Sequence, residues 1–169
     1  KISSSDITNY PLLEKISLKK KPILLSTGAS SLREIRNAVK IFKKNKIKKL
    51  VIMHCILNYP TKDYNANLRM IESLKKEFPE FLLGYSDHTL PDKNMQNLCS
   101  AYILGANVIE KHFTLNKKLK GNDHYHSMDK DQLINFNKIQ KKILLIKGSG
   151  KKNLSFERKS ILYARRSIY

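Results

Sequence analysis

The chain has 169 residues, enough for one domain with a sizeable core, and its 41% hydrophobic content is ordinary for a globular protein. Lys and Arg number 33 against 14 Asp and Glu, a formal charge of +19, but the lysines are spread over polar helix faces and helix ends rather than gathered beside aromatics or in a named motif. Composition therefore argues against a nucleic-acid partner, and no run approaches the ~18 uninterrupted apolar residues that a membrane span needs.

Short apolar runs alternate with helical patterns along the chain, at about the spacing of one βα repeat. Five runs read as parallel strands: Lys1 to Ser4, Pro22 to Ser26, Leu50 to His54, Phe81 to Asp87 and Asn107 to His112. After the second, Ser31-Leu32-Arg33-Glu34 is a capping box, and Leu32, Ile35, Val39 and Phe42 then share one face, which predicts a helix to about Lys44. Leu68, Ile71, Leu74 and Phe78 make a second stripe stopped by Pro79, and Met95, Leu98, Cys99 and Tyr102 make a third that ends at Gly105. A fourth helix starts near Asp129, where Gln132 completes another capping box, and runs through Phe136 and Ile143 to Gly148. Residues 149–169 read as a linker, with a short helical stretch around Phe156 to Ile161 and a basic end, Ala164-Arg165-Arg166-Ser167. Cys55 and Cys99 lack CxxC spacing and lie in apolar surroundings, as reduced core thiols of a cytoplasmic protein do. The opening residues contain no initiator Met and read as the interior of a longer chain.

Polar residues close every one of the five runs. Ser4-Ser5-Asp6, Ser26-Thr27-Gly28, His54-Cys55 with Asn58-Tyr59-Pro60, Ser86-Asp87-His88 and Glu110-Lys111-His112 all stand at strand C-termini. In parallel α/β folds those ends and the loops after them build the ligand site. Residues two apart share a face of a strand, so Ser86 pairs with His88 and Glu110 with His112. If these faces point into a barrel, the two imidazoles on adjacent strands are placed to share one cation; the plainer alternative is a pair of hydrogen-bonded strand-end histidines. His124 and His126, in the loop after the last strand, are open to the same choice, and loop histidines are more often solvated. Ser4, Ser26 and Ser86, with Lys1 beside them, suit a phosphate as three hydroxyls and an ammonium, although strand-end serines also form turns.

At these residues the chain resembles the sialic acid synthase family. The resemblance rests on six blocks in the family's order: Lys1 to Asn9, Lys21 to Gly28, His54-Cys55 through Asn58-Tyr59-Pro60-Thr61, Gly84 to Leu90, Gly105 to Thr114, and Gly121 to His124. It implies a partial (β/α)₈ barrel, the last five βα units of eight, over 1–148, with 149–169 leading toward a C-terminal antifreeze-like domain. It further implies condensation of phosphoenolpyruvate with an N-acylated amino sugar of the N-acetylmannosamine type on a divalent metal, Mn²⁺ first and Mg²⁺ or Co²⁺ next, by a homodimer when full length. His88 and His112 become the metal ligands. Lys1, Ser4, Ser26 and Ser86 become the phosphoenolpyruvate contacts, Tyr59 and Asp123 face the sugar, and Asp6 is the candidate for proton handling or for activating water.

Two departures bear on these expectations. Leu57 stands where many members carry Ser or Asn, and the loop from Pro91 to Met95 is longer than in some members. Five strands of eight cannot close a barrel, so these residues alone are expected to be poorly active and prone to aggregate. The alternatives are another phosphoenolpyruvate-condensing or metal-dependent aldolase barrel, a catalytically incompetent fragment, and a basic binding module.

Overall fold

The computed structural model describes residues 1–166; Ser167, at the end of the basic stretch noted above, lies outside the described residues. Four strands, β1 (Ile23–Ser26), β2 (Leu50–Cys55), β3 (Leu82–Asp87) and β4 (Val108–Lys111), pair in chain order and all in parallel. Between and after them lie α2 (Leu32–Lys44), α3 (Met70–Glu77), α4 (Gln96–Ile103) and α5 (Lys130–Lys147), with α1 (Tyr10–Ser17) ahead of β1 and α6 (Arg158–Ala164) at the end. The sheet is an open half-barrel with helices on its outer side. Among the described residues no helix is long and apolar enough to cross a membrane.

The first of the five predicted runs is not a strand. Ile2 makes a single parallel bridge to Leu25, through Ile2 N–H to Leu24 O at 2.8 Å and Ser26 N–H to Ile2 O at 3.1 Å. The chain then turns at once into a 3-10 helix over Ser4–Asp6, which stops the ladder after one residue. A second difference is α1, which no apolar stripe announced. Its signals are local: Asn9 Oδ1 accepts from Leu12 N at 3.3 Å, and Pro11 occupies the first turn, where a missing N–H costs nothing.

Helices α2 and α5 start where their caps place them. Ser31 and Glu34 make both bonds of a capping box for α2, and Asp129 with Gln132 does the same for α5. The core lies between the outer face of the sheet, with Ile23, Leu25, Leu50, Ile52, Leu83 and Tyr85, and the helix stripes Ile35/Val39/Phe42, Ile71/Leu74 and Leu98/Ala101. The inner face runs in register layers instead, Ser26–Met53–Gly84–Val108 below and Cys55–Ser86–Glu110 above. At Gly84 an added Cβ would stand 3.0 Å from Met53 Cγ and 3.0 Å from the Val108 carbonyl, so the lower layer closes only around a glycine.

Candidate active site

The upper inner layer and the loops above it form two adjoining cavities that share Tyr59 and His112. The first, about 200 Å³, is lined by Lys1, Ser4, Ser26, Ser86, Glu110 and the rim residues Cys55, Leu57 and His88. Glu110 is its organising acceptor: Lys1 Nζ donates to Oε1 at 2.7 Å and Ser86 Oγ donates to the same oxygen at 2.8 Å. Burial pushes the Glu110 carboxyl up, but the Lys1 and Ser86 hydrogen bonds outweigh it and hold the group below the ordinary carboxylate range. Ser4 Oγ accepts from Gly28 N–H at 2.9 Å, a contact that a Cβ on Gly28 would obstruct. Ser26 Oγ is buried and has no hydrogen-bond partner among the described residues, although buried hydroxyls are almost always satisfied. Cys55 is a cavity wall rather than a distant core thiol, and burial pushes its thiol up, so it brings no negative charge toward an anion.

The second cavity, about 450 Å³, is lined by Tyr59, His112, Asn122, Asp123 and Tyr125. Its walls come from loops that the backbone ties down. Thr61 N–H donates to His88 O at 2.9 Å, which holds the Tyr59 loop over β3, and Tyr125 Oη donates to Tyr59 O at 3.2 Å. Met128 N–H donates to His112 O at 2.7 Å and Thr114 N–H to Met128 O at 2.9 Å, so the long loop after β4 returns to its own starting point.

Histidines gather at the seam between the cavities. The His88 and His112 ring centroids are 5.3 Å apart, and those of His112 and His126 are 5.0 Å apart. Imidazoles sharing one ion at about 2.1 Å have centroids about 4.5–5.3 Å apart for right-angle to tetrahedral bond angles. His88 Nδ1–H donates to the Ile56 carbonyl at 2.7 Å, which leaves the lone pair on Nε2. Burial holds both His88 and His126 below the ordinary histidine value, toward the neutral form that a cation needs. The donor set therefore fits a divalent cation.

The residues named from sequence fall into three groups. Lys1, Ser4, Ser26, Ser86 and His88 meet in the smaller cavity; His112 and Tyr59 are shared by both cavities; Asp123 lines the larger one. Asp6 is not among the lining residues of either cavity, since the 3-10 turn takes it past the strand end. Glu110 was visible from sequence only as a strand-closing residue; its register with Ser86 across β3 and β4 makes it part of the site. The expectation that loop histidines are solvated fails for His126, which is 0% exposed. His124 is half-buried and its Nδ1 is bonded to Thr114 Oγ1 at 2.8 Å.

Beneath the site, Lys111 Nζ meets Asp87 Oδ2 at 2.8 Å with both side chains 2% exposed. Asp87 Oδ1 accepts from Tyr85 Oη at 2.8 Å and from Thr89 N–H at 2.9 Å, and Lys111 also donates to Thr89 O. This buried network joins the two strand ends that carry His88 and His112.

Comparison with known proteins places these features. Residues 1–152 match the model of the NeuB family. The chain is 44% identical to an uncharacterised protein of Methanocaldococcus jannaschii, over 99% of this chain and 49% of that one. It is 39% identical to an N,N'-diacetyllegionaminic acid synthase of Campylobacter jejuni, over 99% of this chain and 50% of that protein. The crystal structure of an N-acetylneuraminic acid (sialic acid) synthetase from Leptospira borgpetersenii in complex with citrate superposes with a TM-score of 0.85 at 37% identity, covering 95% of this chain and 55% of that one. The chain thus spans about half the length of the curated relatives it matches. On the family match over residues 1–152 and these likenesses, the chain belongs to the NeuB family.

Proposed function

We propose that this chain carries the phosphoenolpyruvate and cation part of a synthase that condenses phosphoenolpyruvate with an N-acylated amino sugar of the N-acetylmannosamine type, giving a nonulosonic acid and phosphate. The observation that carries the reading is the pair of cavities meeting at Tyr59 and His112, one lined by Lys1 and four serines, the other by Asp123 and Asn122. The unpartnered Ser26 hydroxyl is a donor waiting for an acceptor. Phosphate bound there takes hydrogen bonds from Ser4 and Ser26, from Lys1, whose ammonium keeps two N–H donors beyond the one given to Glu110, and from Ser86 once its single O–H turns away from Glu110.

The condensation joins C3 of the enol to the sugar aldehyde carbon, adds water at C2, and releases phosphate from the tetrahedral species that results. A divalent cation, Mn²⁺ first, held by His88 and His112 would supply Lewis-acid polarisation of the aldehyde. Tyr59 and Asp123 position the sugar beside the enol. A carboxylate near C2 steers the water; Glu110 lines the smaller cavity and Asp6 does not, which favours Glu110 for that task. Because the Campylobacter jejuni relative matches almost the whole chain, a diamino relative of N-acetylmannosamine is the second acceptor to test. The whole enzyme acts as a homodimer in the cytoplasm on this reading.

Calorimetric titration of the chain with phosphoenolpyruvate, with and without Mn²⁺, followed by product assays with both sugars, tests it. Phosphoenolpyruvate binding that strengthens with Mn²⁺ and weakens about tenfold in Ser86→Ala is expected. No phosphoenolpyruvate binding by the folded chain in either condition would overturn the reading.

A further inference from the structure

Both ring nitrogens of His126 are buried without a hydrogen-bond partner, although the side chain is 0% exposed. An imidazole always carries at least one N–H and, when neutral, one lone pair, so leaving both unpaired in the interior is costly. His126 lies in a loop, and nothing in helix or strand geometry compels an imidazole there. An apolar ring would fill the same volume without that cost.

The neighbours of His126 are ligand types. His112, Asp123 and His126 each offer one ligand atom, and these atoms all lie within 4.8 Å of one another. Asp123 Oδ2 is 3.9 Å from His112 Nδ1 and its Oδ1 is 4.0 Å from His126 Nε2. Both separations are too long for hydrogen bonds. Two ligand bonds of about 2.1 Å span at most about 4.2 Å in line, so both separations lie within reach of a shared ion, and the ligands draw closer as it binds. Tyr59 covers the group, with its ring centroid 4.1 Å from that of His88, 5.8 Å from that of His112 and 5.7 Å from that of His126.

The geometry points to His126 as a third imidazole of the cation site beside His88 and His112, with the Asp123 carboxylate lying between His112 and His126 on the sugar side. This rests on the cation reading of the proposed function and extends it. Three imidazoles suit borderline cations such as Co²⁺ and Zn²⁺ and disfavour Mg²⁺, which seeks oxygen ligands. In an octahedral ion three imidazoles leave three positions for oxygen ligands, against four for two histidines alone.

The test is Co²⁺ titration of the full chain, followed by calorimetry and by visible absorption, with X-ray absorption to count imidazoles on the bound ion. Wild type is expected to show three imidazoles, and tenfold excess Mg²⁺ is expected not to displace Co²⁺. His126→Phe and His126→Gln are each expected to weaken Co²⁺ binding at least tenfold and to lower the count to two. Far-UV circular dichroism checks that each variant folds; if neither does, the wild-type count decides alone. Two imidazoles in wild type, or unchanged Co²⁺ affinity in a folded His126 variant, overturns the inference. If His88→Ala then abolishes binding, the proposed function stands without it. No binding of Co²⁺, Zn²⁺ or Mn²⁺ by wild type overturns both.

Discussion

Ser26 and His54 are both buried polar residues, and they stand in opposite situations. The Ser26 hydroxyl has been taken from water and given nothing in return. Ser26→Ala removes that cost, so it is expected to raise stability by about 1 kcal/mol in urea unfolding while weakening phosphoenolpyruvate binding several-fold in calorimetry. Equal or lower stability of the variant would mean that the hydroxyl is satisfied in solution. His54 is paired: its Nε2–H donates to Ala66 O at 2.8 Å and its ring stacks on Tyr85 at 5.8 Å. Burial holds His54 below its ordinary value of 6.5, so the unfolded chain binds its proton first as pH falls. Its stabilisation is therefore complete above about pH 6.5 and is lost as pH drops toward the lowered folded value. His54→Gln keeps a donor near Ala66 without titrating, and should flatten that part of the stability–pH curve measured by urea midpoints between about pH 5 and 7.5.

At the scale of elements, the link between β3 and β4 is what sets the spacing of His88 and His112. The backbone ladder ends at Asp87 and Lys111, one residue short of each histidine, and the Asp87–Lys111 pair continues the connection with side chains. Both groups are out of water, so removing one strands the other: Lys111→Met is expected to cost about 3–5 kcal/mol, and Asp87→Asn in the same chain to recover part of it. Chemical denaturation of the single and double variants checks the coupling. One layer lower, Gly84→Ala pushes a Cβ against Met53 and the Val108 carbonyl and is expected to cost about 1–3 kcal/mol. The helices were legible because caps and stripes act within a few residues, as at Ser31/Glu34 and Asp129/Gln132. The first run forms one bridge and not a strand because Lys1-Ile2-Ser3-Ser4 offers the sheet one apolar side chain and the turn at Ser4 follows at once.

Across the whole molecule, apolar surface and charge oppose one another. Leu145 is 83% exposed, Ile146 74% and Phe156 89%, and the inner-face residue Leu82 is 53% exposed. Patches of this kind favour association, and a charge of +19 holds copies apart. Salt screens the repulsion and leaves the apolar attraction, so sedimentation velocity is expected to show larger species at about 0.5 M than at about 0.05 M NaCl. Leu82→Lys is expected to lessen the shift. An unchanged distribution at both salt concentrations would mean that these surfaces do not pair.

The order of the four βα units from β1 onward, the starts of α2 and α5, and the gathering of polar residues at strand C-termini were readable along the chain. Each depends on neighbours a few positions away, and a parallel sheet puts those ends together whatever the loops do. Glu110 and His126 were not readable in this way. Glu110 joins Lys1 and Ser86 because three separate segments converge in register, and His126 is buried because the loop after β4 folds back through Met128 onto His112. Burial and pairing of that kind arise from contacts between segments distant in the chain, which residue spacing does not encode.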